Sequence, residues 1–173
     1  MGLEVTMKIA QVALAVGMVV GGVAFGQSAP APAPAVGSQV HIYDTQANAK
    51  LQVAAAIRQA RREHKRVLID FGGNWCGDCI VLDRNFHSPD NQARLDKYYV
   101  LVHVDIGKFD KNVDLADQYE VPIKKGVPAL AVVDGRGKLI YAQKNGEFES
   151  MRRMDPASVG QFLEQWKPAA KPA

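Results

Sequence analysis

The sequence predicts an α/β fold, a mixed central β-sheet with helices on both faces, and three observations predict it. Val67-Leu68-Ile69 is a short β-branched and apolar run; Gly72-Gly73 break it, and Cys76 stands at the mouth of the helix that follows. Tyr99 to Ile106 is apolar apart from His103 and Asp105, the pattern of a strand covered on both faces. The remaining segments give the order β-α-β-α-α-β-α-β-β-α, with no internal repeat. At 173 residues, 47% hydrophobic and 23% charged, the chain suits one globular domain and leaves no room for a second.

The first 26 residues read as a secretory signal: Lys8 is the positive region, Val12 to Phe25 the apolar stretch, and Ala24-Phe25-Gly26 offers small residues for cleavage. Met7 is an alternative start. The apolar stretch is short for a bilayer span, and an uncleaved N-terminal membrane anchor is the alternative. Met1-Gly2 with Thr6 fits a myristoylation pattern by chance, and no cysteine lies near the cleavage site to mark a lipoprotein. Residues 27–38 form an Ala/Pro-rich linker, expected as an extended polyproline-like spacer. The folded domain is expected over residues 39–168, with a flexible tail at 169–173.

Within the domain Val40-His41-Ile42-Tyr43 alternates as a first strand, and Thr45 or Asn48 caps the helix after it. In that helix Val53, Ala56, Ile57 and Ala60 make one buried stripe. Arg58, Arg61, Arg62, Lys65 and Arg66 populate its outer side and C-terminal end, where they suit the helix dipole better than a binding patch. In the cysteine helix Cys79, Leu82, Asp83 and Phe86 share a face, and Ser88-Pro89 begins a further short helix. Asp110 to Tyr119 is helical, with Leu115, Ala116 and Tyr119 inward. Ala129–Val133 and Leu139–Ala142 form a hairpin around Asp134-Gly135-Arg136-Gly137. Asp155 caps a terminal helix that Pro156 starts and that buries Val159, Phe162, Leu163 and Trp166.

Both cysteines fall in Trp75-Cys76-Gly77-Asp78-Cys79, which reads as a redox-active dithiol. At a helix N-terminus the unpaired N–H groups and the dipole stabilise an anion, so Cys76 can be a thiolate near neutral pH. Cys79 lies one turn on and would resolve the mixed disulfide that Cys76 forms. Structural zinc needs two more ligands, and the chain has neither a second C-x-x-C nor a paired His-x-x-x-His. Trp75 would shield the thiolate and offer a flat apolar surface to a substrate, against the plainer role of packing at a strand end. Asp70, directly after Val-Leu-Ile, is expected beneath the dithiol; burial would raise its pKa and let it take the Cys79 proton, the alternative being a purely structural residue.

The run Val-Leu-Ile-Asp-Phe before Trp-Cys-Gly-Asp-Cys, with Gly126-Val127-Pro128 downstream, resembles the thioredoxin superfamily over most of residues 39–166. Asn85-Phe86-His87-Ser88-Pro89-Asp90 and Val102-His103-Val104-Asp105 look most like the C-terminal domain of DsbD-type disulfide reductases and related periplasmic proteins. The resemblance implies a thioredoxin-like fold, a cis-proline at Pro128 whose loop, with Val127, binds an extended substrate chain, and an acid at Asp70 serving Cys79. Thioredoxins often pair that acid with a lysine from the next strand; here the strand reads Leu101-Val102-His103, without one. Four residues, Pro122-Ile123-Lys124-Lys125, stand before Gly126 where thioredoxins usually have one, so the loop is longer and carries two cations. After Gly77, Asp78 stands between the cysteines where thioredoxins commonly have proline; it favours the helix dipole but repels the Cys76 thiolate, and Lys124 and Lys125 would offset that repulsion if near it.

His41, His64, His87 and His103 have no ligand spacing to one another and read as surface or strand residues, and Met151-Arg152-Arg153-Met154 as a solvated loop. The functional expectation is an exported, periplasmic or otherwise extracytoplasmic, thiol–disulfide oxidoreductase that reduces or exchanges disulfides in other proteins, as a monomer and without an organic cofactor or metal. In the DsbD-like case a membrane partner supplies its electrons, and Asp78 makes it reducing. The alternatives are a soft-metal (copper) handling protein using the same thiolates, without an adjacent methionine or histidine to help, and a binding module with a vestigial dithiol. Without residues 1–26 the net charge is still +3, mildly basic, and no nucleic-acid binding is expected.

Overall fold

The computed structural model describes residues 41–169, so the expected signal segment, linker and most of the tail lie outside the described residues. Asn48 caps α1 (Ala49–Glu63) with its side chain, which accepts the Leu51 N–H at 3.1 Å. His64, at φ 56°, ends it in the left-handed conformation. The chain continues through β1 (Arg66–Gly72), α2 (Gly77–Phe86), α3 (Pro89–Tyr98), β2 (Tyr99–Asp105), α4 (Val113–Gln118), β3 (Ala129–Val133), β4 (Leu139–Ala142) and α5 (Ala157–Gln165). Single 3₁₀ turns precede β3 (Ile123–Lys125) and α5 (Met151–Arg153).

The four strands lie in the order β2-β1-β3-β4, with β1 parallel to β2 and the other pairings antiparallel. Strand alternation sorts the core of the mixed sheet. Val67, Ile69 and Phe71 pack with Val53, Ala56 and Ala60 of α1 and with Leu115 and Ala116 of α4. On the other side Leu68 meets Leu82 and Phe86 of α2, Leu95 of α3, and Val159 and Leu163 of α5. The helices on both faces and the two-sided core match the expected fold class, and α3 starts at Pro89 as its sequence requires. Asp155 accepts the Ala157 N–H at 2.9 Å and so caps α5.

Two expectations are corrected. The first strand is not formed over its described part, His41–Tyr43. The Asn74 side chain takes the place of a strand partner: its Oδ1 accepts the N–H groups of Ile42 and Tyr43 at 2.9 and 3.0 Å, and its Nδ2 donates to the Tyr43 carbonyl at 2.8 Å. β2 is covered on both faces, by α1 on one and α3 on the other, as its apolar run requires, although it is the edge strand and Val100, Leu101 and His103 are only partly buried. α4 starts at Val113, not Asp110, because Gly107, Phe109 and Asn112 adopt positive φ of 59°, 68° and 51° and turn the chain through a loop first.

Asn74 therefore ties the segment bearing Tyr43 to the turn before the dithiol. Asn74→Ala removes all three bonds, and the expected loss is about 2 kcal/mol in urea unfolding, with Tyr43 becoming accessible to nitration. A loss within error of zero would show that core packing alone holds Tyr43.

Candidate active site

Cys76 is the N-cap of α2 and Cys79 lies in its first turn, as the spacing requires; in the structure they are joined as a disulfide with Cα atoms 5.2 Å apart. The Cys79 N–H donates to Cys76 Sγ at 3.1 Å, so a backbone dipole already points at the sulfur that must carry charge. Cys76 is 6% exposed and Cys79 fully buried. An attacking thiol or disulfide thus meets Cys76 first. The Val127–Pro128 peptide is cis, as the resemblance implies, and the Val127 carbonyl oxygen lies 3.6 Å from Cys76 Sγ. Gly126, at φ 140°, brings the chain into this turn.

Trp75 stands beside the disulfide and is 42% exposed, among the most exposed large apolar side chains described. Its Nε1 donates to the Gly107 carbonyl at 2.6 Å, Lys108 Nζ sits 4.3 Å from its ring centre, and the Phe109 ring lies at 5.6 Å. The β2–α4 loop thereby fixes the indole and extends its apolar surface.

Beneath the dithiol Asp70 is fully buried. The sequence reading foresaw its burial but not its partners. In the parallel register Asp70 stands opposite His103, whose Nδ1 is 2.9 Å from Asp70 Oδ2; a histidine occupies the place where a lysine was sought. Tyr43 donates its hydroxyl to the same oxygen at 2.7 Å, while Asp70 Oδ1 has no partner. A Cβ built on Gly72 would collide with the Tyr43 hydroxyl and reach within 2.9 Å of Cys79 Sγ. Glycine is required there because those two groups fill the side-chain space.

His103 Nε2 faces Asp83 Oδ1 at 3.5 Å. Burial works against the His103 cation, but the Asp70 hydrogen bond and charge, with Asp83 adding, outweigh it and raise the His103 pKa above its ordinary value. Burial, then the Asp70 charge, pushes the Tyr43 phenol well above its ordinary value, so it remains a donor.

Asp78 is not a free carboxylate. Arg152, in the 3₁₀ turn Met151–Arg153, donates Nε and Nη2 to its Oδ2 at 3.1 and 2.9 Å and its backbone N–H to Oδ1 at 2.9 Å. The Arg152 hydrogen bond, opposed by burial, holds the Asp78 pKa below the usual carboxylate value. The segment read as a solvated loop is therefore a wall of the site, and its cation sits over Gly77. Lys124 and Lys125 are exposed on the other 3₁₀ turn and make no ion pair with a described residue, so nothing draws them to Cys76. Among the described residues no cluster of three or more His, Cys, Asp or Glu is placed to hold a metal ion.

Residues 47–135 match the family model described as thioredoxin-like. The chain belongs to the thioredoxin-like family. A thioredoxin from Buchnera aphidicola subsp. Schizaphis graminum (strain Sg) is 30% identical over 94 residues, 54% of this chain and 78% of that protein. The crystal structure of disulphide isomerase from Xylella fastidiosa Temecula1 is 38% identical, with TM-score 0.69, covering 72% of this chain and 95% of that one. The DsbD C-terminal domain of Neisseria meningitidis is more distant, 18% identical with TM-score 0.43 over 68% of this chain and 92% of that one. Family, fold and the Cys76–Cys79 pair together make this thioredoxin-like chain a thiol–disulfide oxidoreductase.

Tyr43, Asp83, His103 and Arg152 are the site residues that sequence reasoning passed over. Two left a signal: Asp83 shares the Cys79 face of α2, and aligning Val67-Leu68-Ile69-Asp70 with Val100-Leu101-Val102-His103 as parallel neighbours sets His103 against Asp70.

Two outcomes follow from these charges. A folded-state His103 pKa above the unfolded one stabilises the protein in acid, and that stability is lost as pH rises through the folded value. The advantage of wild type over His103→Gln in urea unfolding should therefore be greatest below about pH 6 and shrink as pH rises past the raised value; a pH-independent difference would remove the charged pair. Arg152→Ala should lower the reduction potential by exposing Cys76 to an uncompensated Asp78, and Asp78→Ala should raise it. Arg152 is 65% exposed, so screening limits each change to at most about one thiol pKa unit, or ~30 mV. Equal potentials in all three proteins would show that Asp78 does not reach the thiolate.

Proposed function

We propose that the protein is exported and reduces or exchanges disulfides in extracytoplasmic proteins, with Cys76 as nucleophile and Cys79 as resolving thiol. The observation that carries the assignment of roles is the asymmetry of the pair. Cys76 is the more accessible sulfur, caps the helix and receives the Cys79 N–H, whereas Cys79 is sealed beneath it. In the forward direction the Cys76 thiolate attacks a client disulfide, and the departing client sulfur leaves as a thiolate that takes a proton from water. Cys79, giving its proton to Asp70, then attacks Cys76 Sγ; the second client thiolate departs, and the pair is left as the Cys76–Cys79 disulfide.

Trp75 and the Val127–Pro128 turn flank Cys76, which supports a role for them in holding the client chain. Exchange as well as reduction is favoured by the likeness to the Xylella protein described as a disulphide isomerase. Export rests on the signal-like residues 1–26, and a DsbD-like supply of electrons from a membrane partner on the resemblance of the motifs. Among the described residues no helix is long and apolar enough to cross a membrane. Gly77 and Asp78 tune the potential, with Lys124 and Lys125 contributing only long-range positive charge from the exposed turn before Gly126. The protein is proposed to act as a monomer.

Cys79→Ser should trap mixed disulfides with client proteins on non-reducing gels, while Cys76→Ser traps none and reduces no insulin. Equal alkylation rates for the two thiols of the reduced wild type would count against these roles.

A further inference from the structure

Asp70 can take a proton from Cys79 only if the charge left behind is balanced, because a buried cluster does not change its net charge cheaply. His103 stands between two carboxylates, Asp70 Oδ2 at 2.9 Å on Nδ1 and Asp83 Oδ1 at 3.5 Å on Nε2, a place that favours its imidazolium. Asp70 is fully buried, whereas the side chains of His103 and Asp83 are each 18% exposed. His103 also lines a groove between α1 and β2 with Asp44, Gln52 and Gln59. The three groups thus run from a buried carboxylate to partly exposed side chains.

We propose that His103 is the positioning residue for resolution, and that Asp70, His103 and Asp83 form a charge-compensating proton path from the dithiol to solvent. This deepens the assignment of Asp70 as the base for Cys79 and rests on it. As Cys79 attacks Cys76 Sγ, its proton passes to the unpartnered Asp70 Oδ1, and the client sulfur leaves with the bonding electron pair. Neutral Asp70 no longer balances an imidazolium. The Nε2 proton therefore moves to Asp83 and on to water, while Nδ1–H stays on Asp70 Oδ2. The client thiolate takes one proton from water, so none is gained or lost overall.

The charged or titratable groups that face this cluster are few. Tyr43 donates to Asp70 from the segment before α1, and Asp44 stands at the groove mouth. His87, at the end of α2, places Nδ1 3.3 Å from Asp83 Oδ1, and Asp105 of β2 acts on Tyr43 through its charge. None offers Asp70 a second cation.

The test is rapid mixing of the reduced full chain with oxidised glutathione, acid quench at intervals, and mass separation of reduced, mixed-disulfide and disulfide forms across about pH 6 to 9. His103→Gln should form the mixed disulfide at the wild-type rate yet resolve it about tenfold more slowly, with a flattened pH profile. His103→Lys restores a cation beside Asp70 but holds its proton through this range, and should stay slow. Asp83→Asn, at the solvent end, should slow resolution in the same way and keeps the test open if the His103 variants do not fold. Wild-type resolution in both His103→Gln and Asp83→Asn, or full rescue by His103→Lys, overturns the path. Should Asp70→Asn remain slow in that case, the base assignment stands and only the path fails; if Asp70→Asn is also wild-type, both fall.

Discussion

A carboxylate with no solvent exposure in the central strand of the sheet is the constraint on which the site depends. Asp70 sits where Val67, Leu68 and Ile69 lead, so the strand that anchors the core also delivers a polar group beneath the dithiol. Such a group must be satisfied by neighbours, and each comes from a different part of the chain: Tyr43 before α1, His103 on β2 and, through His103, Asp83 on α2. Gly72 is held to glycine by the same arrangement, and Asn74 brings Tyr43 into place.

The outer sulfur obeys a different logic. Cys76 is stabilised by local geometry, the end of α2 and the Cys79 N–H, which follow from the three-residue spacing alone. The charge most able to disturb it, Asp78, is held by Arg152 through two side-chain bonds and one backbone bond. Repulsion of the thiolate by Asp78 is thus smaller than a lone carboxylate would give, which weakens the argument from Asp78 alone that the protein is strongly reducing. One contact, 74 residues apart in sequence, resets an effect that the motif suggested.

Much of the fold was legible because it is locally encoded. The Asn48 cap, the Val53–Ala60 stripe, Pro89 at the start of α3, the Asp134 turn and the Asp155 cap are each written within a few residues. The errors occur where a distant group overrides the local pattern. His41–Tyr43 alternates like a strand, but Asn74 supplies its hydrogen bonds. Tyr99–Ile106 is covered on both faces as its composition requires, but that it stands at the edge of the order β2-β1-β3-β4 could not be read from it, because strand order is not a property of one segment. In the site, Cys76, Cys79, Trp75 and Pro128 were legible from spacing or resemblance, whereas Tyr43, His103 and Arg152 enter only through pairs 27, 33 and 74 residues apart.

The edge position of β2, invisible in its composition, separates two routes to the dithiol. Trp75, next to Cys76 in the chain and backed by Phe109, and the Val127–Pro128 turn flank Cys76, the side from which a disulfide must arrive. His103 reaches Asp70 across the β1–β2 register and passes on to Asp83, whose side chain, like its own, is partly exposed. Had β2 been an interior strand, His103 would be enclosed with Asp70, and a proton taken from Cys79 would have no exit except past the bound client. An edge strand leaves the client-facing surface free to close over Cys76 while the buried cluster stays in exchange with solvent. That is the condition under which a sealed Cys79 can lose its proton while a client still covers the site.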